Sequence, residues 1–259
     1  MIKAIFFDID GTLVSFKTHR IPQSTIDAIV QAKTKGIKIY ISTGRPFPLI
    51  NNISQIKHLV DGYITANGAY CFVEDEVVSC LPIPEEDVRT VINSADEKDF
   101  PCMVVGEKDL AMYRNNAYAD SIFCEMLNVR NLQTDVSIEP ILHQRILQLT
   151  PVISLTEEEQ LMPLLQGCES SRWHPDFADI TAKNVNKGNG LLAIAAHQGI
   201  NIEETMALGD GGNDIPIIER AYIGVAMGNA NDSLKAVADY VTDAVDENGV
   251  YNALRHWIF

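Results

Sequence analysis

The chain has 259 residues and a mass of 28.7 kDa, enough for one large domain or two modest ones, with a core that needs no disulfide or metal staples. Hydrophobic residues make up 46% and charged residues 21%, which excludes a disordered chain. Twenty Lys and Arg against 35 Asp and Glu leave a net charge of −15, so nucleic acid and anionic membrane surfaces are repelled and any anionic ligand must be small and locally held. The five cysteines (Cys71, Cys80, Cys102, Cys124, Cys168) include no C-x-x-C pair and read as free thiols of a reducing compartment. The sequence reaches Asp8 before any signal-type apolar region develops, and no run approaches the roughly 18 apolar residues of a membrane span. The expectation is a cytoplasmic protein with no membrane contact and no obligate protein partner.

Ile2 to Phe7 is a nearly continuous apolar run ended by Asp and Gly, the pattern of a strand buried on both faces of a parallel sheet. Pro22 and Ser24 introduce a helix with Ile26, Ile29 and Val30 on one face, closed by Gly36. Ile37 to Ser42 is the next strand, and Thr43-Gly44-Arg45-Pro46 turns into a second helix. Gly62 to Ala66 is a third strand, followed by the turn dipeptide Asn67-Gly68 and a hairpin over Ala69–Val73 and Val77–Leu81. Strand, helix, strand, helix, strand is the alternation of a doubly wound α/β sheet.

From Pro84 the pattern changes. A helix carrying Val88, Val91 and Ile92 precedes strands at Cys102–Val105 and Leu110–Tyr113, and a helix covers about Tyr118 to Leu127. A strand at Ile146–Ile153, a helix at Glu157–Leu165 and strand-like stretches around Arg172 and Ala178–Thr181 complete the segment. Hairpin-like spacing predicts an inserted antiparallel α+β domain. Pro84 to Ala182 holds 7 basic and 18 acidic residues, so it carries −11 of the total charge. The α/β rhythm then resumes, with helices at Gly190–His197, Asn213–Ala221, Asp232–Ala238 and Tyr251–Trp257 and strands at Thr205–Leu208, Ile223–Met227 and Tyr240–Thr242. The expected division is 1–81 and 183–259 for a Rossmann-like core and 82–182 for the insertion.

Four segments lie where strands of the α/β core end: Asp8-Ile9-Asp10-Gly11-Thr12-Leu13, Ser42-Thr43-Gly44-Arg45, Asn186-Lys187-Gly188 and Gly209-Asp210-Gly211-Gly212-Asn213-Asp214. In an open α/β sheet the ligand crevice lies outside the carboxyl ends of the strands, so the four can converge there. A sheet has no structural need for Asp8, Asp10, Asp210 and Asp214 at one edge, because clustered carboxylates raise one another's pKa unless a cation neutralises them. A phosphate monoester would add about two further negative charges, against Lys187 and a helix N-terminus. A divalent cation is therefore required, and all-oxygen ligation suits Mg²⁺. No glycine-rich lysine loop of the nucleotide-hydrolase type is present.

The four motifs DIDGTL, STGR, a single Lys and GDGGND, in that order, resemble the haloacid dehalogenase (HAD) superfamily, and most closely its Cof-type members, which carry an α+β cap between the second and third motifs. The resemblance implies a phosphatase in which Asp8 is the nucleophile that forms an aspartyl-phosphate and Asp10 is the general acid and base. It implies that Thr43, Gly44 and Asn213 hold the phosphate and that Lys187 bridges nucleophile and phosphate. Asp8, the Asp10 backbone carbonyl, Asp210 and Asp214 are the implied metal ligands, with Asp214 direct or supporting.

The leaving group must then be read by the inserted domain and its surroundings. Arg45, Arg172, Trp173 and Asp179 are the candidates, with His174 and Asp176 beside them. The expected substrate is a small phosphorylated metabolite, a hexose or pentose phosphate. Alternatives are a phosphatase for FMN or pyridoxal phosphate, a phosphosugar mutase and, of another class, a non-catalytic phosphosugar-binding regulator, against which the retention of Asp8, Asp10, Lys187 and Asp210 argues.

Overall fold

The computed structural model describes residues 1–126, 132–134 and 136–259, with Trp173 described by its backbone alone. In chain order the main elements are β1 (Ala4–Phe7), α1 (Gln23–Thr34), β2 (Lys38–Ser42), β3 (Gly62–Thr65), β4 (Tyr70–Val73), β5 (Glu76–Cys80), α2 (Glu85–Lys98), β6 (Cys102–Gly106), β7 (Leu110–Tyr113), α3 (Ala117–Asp120), α4 (Glu139–Leu142), β8 (Ile146–Pro151), α5 (Leu155–Leu161), β9 (Cys168–His174) and β10 (Phe177–Ala182). They continue with α6 (Lys187–His197), β11 (Thr205–Gly209), α7 (Ile215–Arg220), β12 (Ile223–Ala226), α8 (Asp232–Val237), β13 (Tyr240–Val241) and α9 (Gly249–Trp257). The chain divides into two compact units: Met1–Arg45, Ile50–Ser79 and Asn186–Phe259 form the first, and Pro46–Leu49 and Cys80–Val185 the second.

The first unit is built on an eight-stranded sheet of order β13-β12-β11-β1-β2-β3-β4-β5. Strands β1, β2, β3, β11, β12 and β13 pair in parallel, and β4 turns back antiparallel to β3. Both faces are covered, which is why β1 reads as an unbroken apolar run rather than an alternating one. Ile5 and Phe7 pack with Ile39, Ile41 and Leu208 against Ile29 of α1 and Leu254 of α9. Ala4, Phe6 and Tyr40 point the other way, toward Leu191 and Ile194 of α6 and Ile217 of α7. Full burial of each Ile, Leu or Phe among these is worth about 1.5–3 kcal/mol.

The second unit is a five-stranded antiparallel sheet of order β7-β6-β8-β10-β9. Val88, Val91 and Ile92 of α2 and Leu161 of α5 pack on Cys102, Val104, Leu149 and Ile180 of that sheet.

Three expectations need correction. The stretch after Arg45 forms only short 3₁₀ turns, Phe47–Leu49 and Lys57–Leu59, instead of a second helix. Pro46 and Pro48 lie two residues apart, and each removes an N–H and disfavours helical geometry in the residue before it. On α1 the buried stripe is Thr25, Ala28, Ile29 and Ala32, while Val30 is 44% exposed. Finally, α3 runs into a π-helical turn over Ser121–Met126, and the last residue of the expected helix there, Leu127, lies outside the described residues.

Candidate active site

Strands β1 and β11 are parallel neighbours with Phe7 opposite Leu208, so the residues that follow them, Asp8 and Asp210, leave the sheet side by side. The Asp8 N–H donates to the Leu208 carbonyl at 3.0 Å, which fixes the start of that loop. Thr43 follows β2 on the other flank of β1, with its N–H donating to the Ile64 carbonyl at 2.8 Å. Lys187 is the first residue of α6, whose N-cap Asn186 accepts from the Asn189 N–H at 2.9 Å through its side chain. Three motifs thus end at one edge for a single reason: parallel strands all finish on the same side.

The Lys187 ammonium is fully buried and lies 2.7 Å from Asp8 Oδ1 and 2.5 Å from Asp214 Oδ1. Burial alone would push its pKa down, but the adjacent Asp214 and Asp8 carboxylates outweigh that and raise it, so Lys187 stays charged. The other Asp214 oxygen, Oδ2, accepts from the backbone N–H groups of Asp210 and Gly211, each at 3.0 Å. Asp214 therefore ties the GDGGND loop to Lys187. One buried cation faces several acids. Burial pushes the Asp8 carboxyl up, against the pull of Lys187 and with help from Asp214, Asp210 and Asp10. Asp210, also driven by burial and by Asp214, is pushed up to about 7 although Thr12 Oγ1 donates to it at 3.0 Å. Asp8, Asp210 and Asp214 bring ligand oxygens within 4.8 Å of one another. An all-oxygen donor set with more negative charge than Lys187 can balance fits a hard divalent cation.

A family profile described as haloacid dehalogenase-like hydrolase matches residues 5–254. The chain belongs to that family. A solved structure described as an HAD subclass IIB sugar phosphatase is 48% identical, with a TM-score of 0.91 and 98% of each chain covered. An HAD phosphatase of Bacteroides thetaiotaomicron is 39% identical with a TM-score of 0.88, covering 99% of this chain and 95% of that one. The 5-amino-6-(5-phospho-D-ribitylamino)uracil phosphatase of Bacillus subtilis is 29% identical over 99% of this chain and 96% of its own. This chain is accordingly an HAD-type phosphatase of the Cof kind.

Among the other site residues of this HAD hydrolase, Asp10 is held by Arg45 in a two-point fork, Nε to Oδ2 at 2.6 Å and Nη2 to Oδ1 at 2.9 Å. Arg45, a candidate for reading the leaving group, pairs here with the second aspartate of DIDGTL. Asn52 Nδ2 adds a third bond to Asp10 Oδ1 at 3.2 Å, from a loop with no motif to mark it. Asn213 does not stand alone: its Nδ2 donates to Asn67 Oδ1 at 2.9 Å. Asn229, which the sequence reading passed over, donates to the Gly11 carbonyl at 2.9 Å and faces Asp210 Oδ2 at 3.4 Å. Its position just past the end of β12, beside Gly228, was the available signal.

The remaining candidates lie on the β9–β10 hairpin of the second unit, with Asp176 in its turn. Arg172 pairs with Glu158 and donates to the carbonyls of His174, Pro175 and Ile153, so four of its five N–H groups brace its own unit. The expectation that it reads substrate is not carried forward. Asp179 is buried mid-strand, with Oδ1 accepting from Gln148 and Thr150 at 2.8 Å each. His174 stacks on Phe177 at 4.9 Å and accepts from the Asp176 N–H at 3.2 Å, a turn role. The Trp173 side chain lies outside what the structure describes.

Proposed function

We propose that the chain is a Mg²⁺-dependent phosphomonoester hydrolase for small phosphorylated metabolites, hexose or pentose phosphates above all, working through an aspartyl-phosphate on Asp8. The observation that carries the reading is the buried Asp8–Lys187–Asp214 chain, with Asp210 beside it. Lys187 holds Asp8 Oδ1, which leaves Oδ2 to attack phosphorus as the ester P–O bond breaks. Asp10 gives its proton to the departing alkoxide, then takes one from the water that attacks the aspartyl-phosphate and returns Asp8 to the carboxylate. The Thr43 hydroxyl and Gly44 N–H receive phosphoryl oxygens, and Lys187 offsets the charge that develops on them. Asp8, Asp210 and the Asp10 carbonyl would hold the metal, with Asp214, both of whose oxygens are engaged, as their support. Bound there, Mg²⁺ supplies Lewis-acid neutralisation of phosphoryl charge.

The sugar-phosphate reading is supported by 48% identity to a structure described as a sugar phosphatase. A ribityl phosphate or FMN-like substrate is the second reading, supported by the relative that acts on a phosphoribitylamino-uracil. Residues 82–182 are the proposed specificity domain, with Asp179 as the retained candidate in it and 1–81 with 183–259 as the catalytic core. The cytoplasm is the proposed location.

The deciding experiment compares kcat/KM for an aryl phosphate, hexose 6-phosphates, pentose 5-phosphates, FMN, pyridoxal phosphate and the ribitylamino-uracil phosphate, with Mg²⁺ and with EDTA. Sugars should lead, and EDTA should abolish every rate. A cofactor or ribityl phosphate ahead by about tenfold would overturn the sugar assignment. Undiminished turnover in EDTA would overturn the metal, and a protein inert toward all of them would overturn the hydrolase.

A further inference from the structure

The turn between β3 and β4 is strained beyond what a hairpin needs. Ala66, Asn67 and Gly68 follow one another with φ of 47°, 56° and 107°. Left-handed backbone is easy for Gly and tolerable for Asn, but it is strained for Ala, whose Cβ crowds the following carbonyl oxygen. Such strain persists where surrounding contacts over-determine it, and here they do. The Ala66 N–H donates to the Arg45 carbonyl and the Asn67 N–H to the Thr43 carbonyl, both at 3.1 Å. A Cβ on Gly68 would sit 2.4 Å from the carbonyl oxygen of Asn186, the residue before Lys187. A Cβ on Gly44 would come within 3.1 Å of Asn67 Oδ1 and 3.4 Å of Asn67 Nδ2 and Asn213 Nδ2. This one turn therefore touches the STGR loop, the start of α6 and the GDGGND loop.

Asn67 is only 8% exposed as a residue. Its Oδ1 accepts from Asn213, which turns Nδ2 the other way. Among the described residues Nδ2 donates to no protein acceptor. Nδ2 is not enclosed by the protein either, so it remains open to a ligand. A hairpin turn explains the glycine; it explains neither the left-handed alanine nor a carboxamide anchored at one end and unpaired at the other, against Gly44.

We propose that Asn67 is a phosphate-binding residue: Nδ2 donates to an oxygen of the phosphomonoester resting on Thr43 and Gly44, and the left-handed turn at 66–68 exists to bring it there. The assignment rests on the phosphatase reading above. An amide suits this place because it adds a donor to the phosphate without adding charge of its own beside the Asp8, Asp210 and Asp214 cluster. Asn213 holds the amide in orientation, so the donor is in place before the phosphoryl oxygens gain charge in the transition state.

The test uses the full-length enzyme with Mg²⁺ and an aryl phosphate, with inorganic phosphate and orthovanadate as inhibitors. Asn67→Gly keeps the left-handed turn at no steric cost and removes only the carboxamide. It should raise the inhibition constants of both anions about tenfold or more and lower kcat/KM by about ten- to a hundredfold, with Tm unchanged or higher. Asn67→Asp keeps the size and the acceptor for Asn213 but sets a carboxylate against the phosphate, and should lose more than about a hundredfold. Wild-type inhibition constants and kcat/KM in Asn67→Gly would overturn the assignment, as would a variant that loses only stability. In either of those cases an active wild type leaves the phosphatase reading standing, whereas a wild type inert toward phosphate esters overturns both.

Discussion

Asp8 and Asp10 are two residues apart and chemically opposite in their surroundings. Asp8 is 8% exposed, bound to Lys187, and crowded by Asp214 and Asp210. Asp10 faces a guanidinium and an amide on a half-buried rim. The proposed nucleophile and the proposed proton carrier are thus separated by environment, not by residue type. Asp8→Asn should remove all turnover and leave no phosphoenzyme. Asp10→Asn should damage sugar-phosphate turnover far more than aryl-phosphate turnover, because an aryl leaving group needs little protonation. It should also accumulate phosphoenzyme with the aryl substrate. Acid quench and intact mass should show a phosphate adduct on Asp10→Asn and none on Asp8→Asn; the opposite pattern would refute the division of roles.

Among the elements, α6 matters most for chemistry because its first residue is the buried cation. Its start is fixed by Asn186, whose side chain caps the Asn189 N–H. Asn186→Ala should cost about 1 kcal/mol of stability. It should also lower kcat through a loosened Lys187, and Asn186→Asp or Asn186→Ser should restore both. Urea unfolding alongside kcat measures the pair, and an intact kcat in Asn186→Ala would show that the ion pairs alone position Lys187. The parallel strands were readable because residues buried on both faces leave unbroken apolar runs, as in Ile2–Phe7. The helix expected after Arg45 was misread because periodicity hides what Pro46 and Pro48 do to the backbone.

For the whole molecule, the acid excess makes stability depend on pH and on metal. Asp210 has an ordinary carboxyl pKa of 3.8 when unfolded and about 7 in the folded, metal-free protein. A pKa raised by folding gives stability that is present in full below the unfolded value and is lost as pH rises through the folded one. The chelated protein should therefore lose Tm between about pH 4 and pH 8, by about 2–4 °C for each kcal/mol involved. Mg²⁺ should close most of that gap, since a ligand that binds only the folded state stabilises it. Thermal melts at pH 5.5 and 8.0, in EDTA and in Mg²⁺, measure this (the pH values are about one and a half units below and one above the Asp210 midpoint). An EDTA melting curve that does not move with pH would overturn the reading of the acid cluster.

The doubly wound core, the change of pattern near Pro84 and the four motifs are legible in the residues alone, because strand runs and strand-end loops are local in the chain and carry their own chemistry. It named Asp8, Lys187, Asp210 and Asp214, and tertiary structure placed them in contact. Partnership between side chains emerged only on folding. Arg45 is spent on Asp10, Arg172 on Glu158 and on backbone carbonyls, and Asp214 on both Lys187 and its own loop. Asn52, Asn67 and Asn229 join the site from loops distant in sequence. A neutral carboxamide leaves no trace in charge, periodicity or spacing, and its role appears only when folding sets a donor against an acceptor.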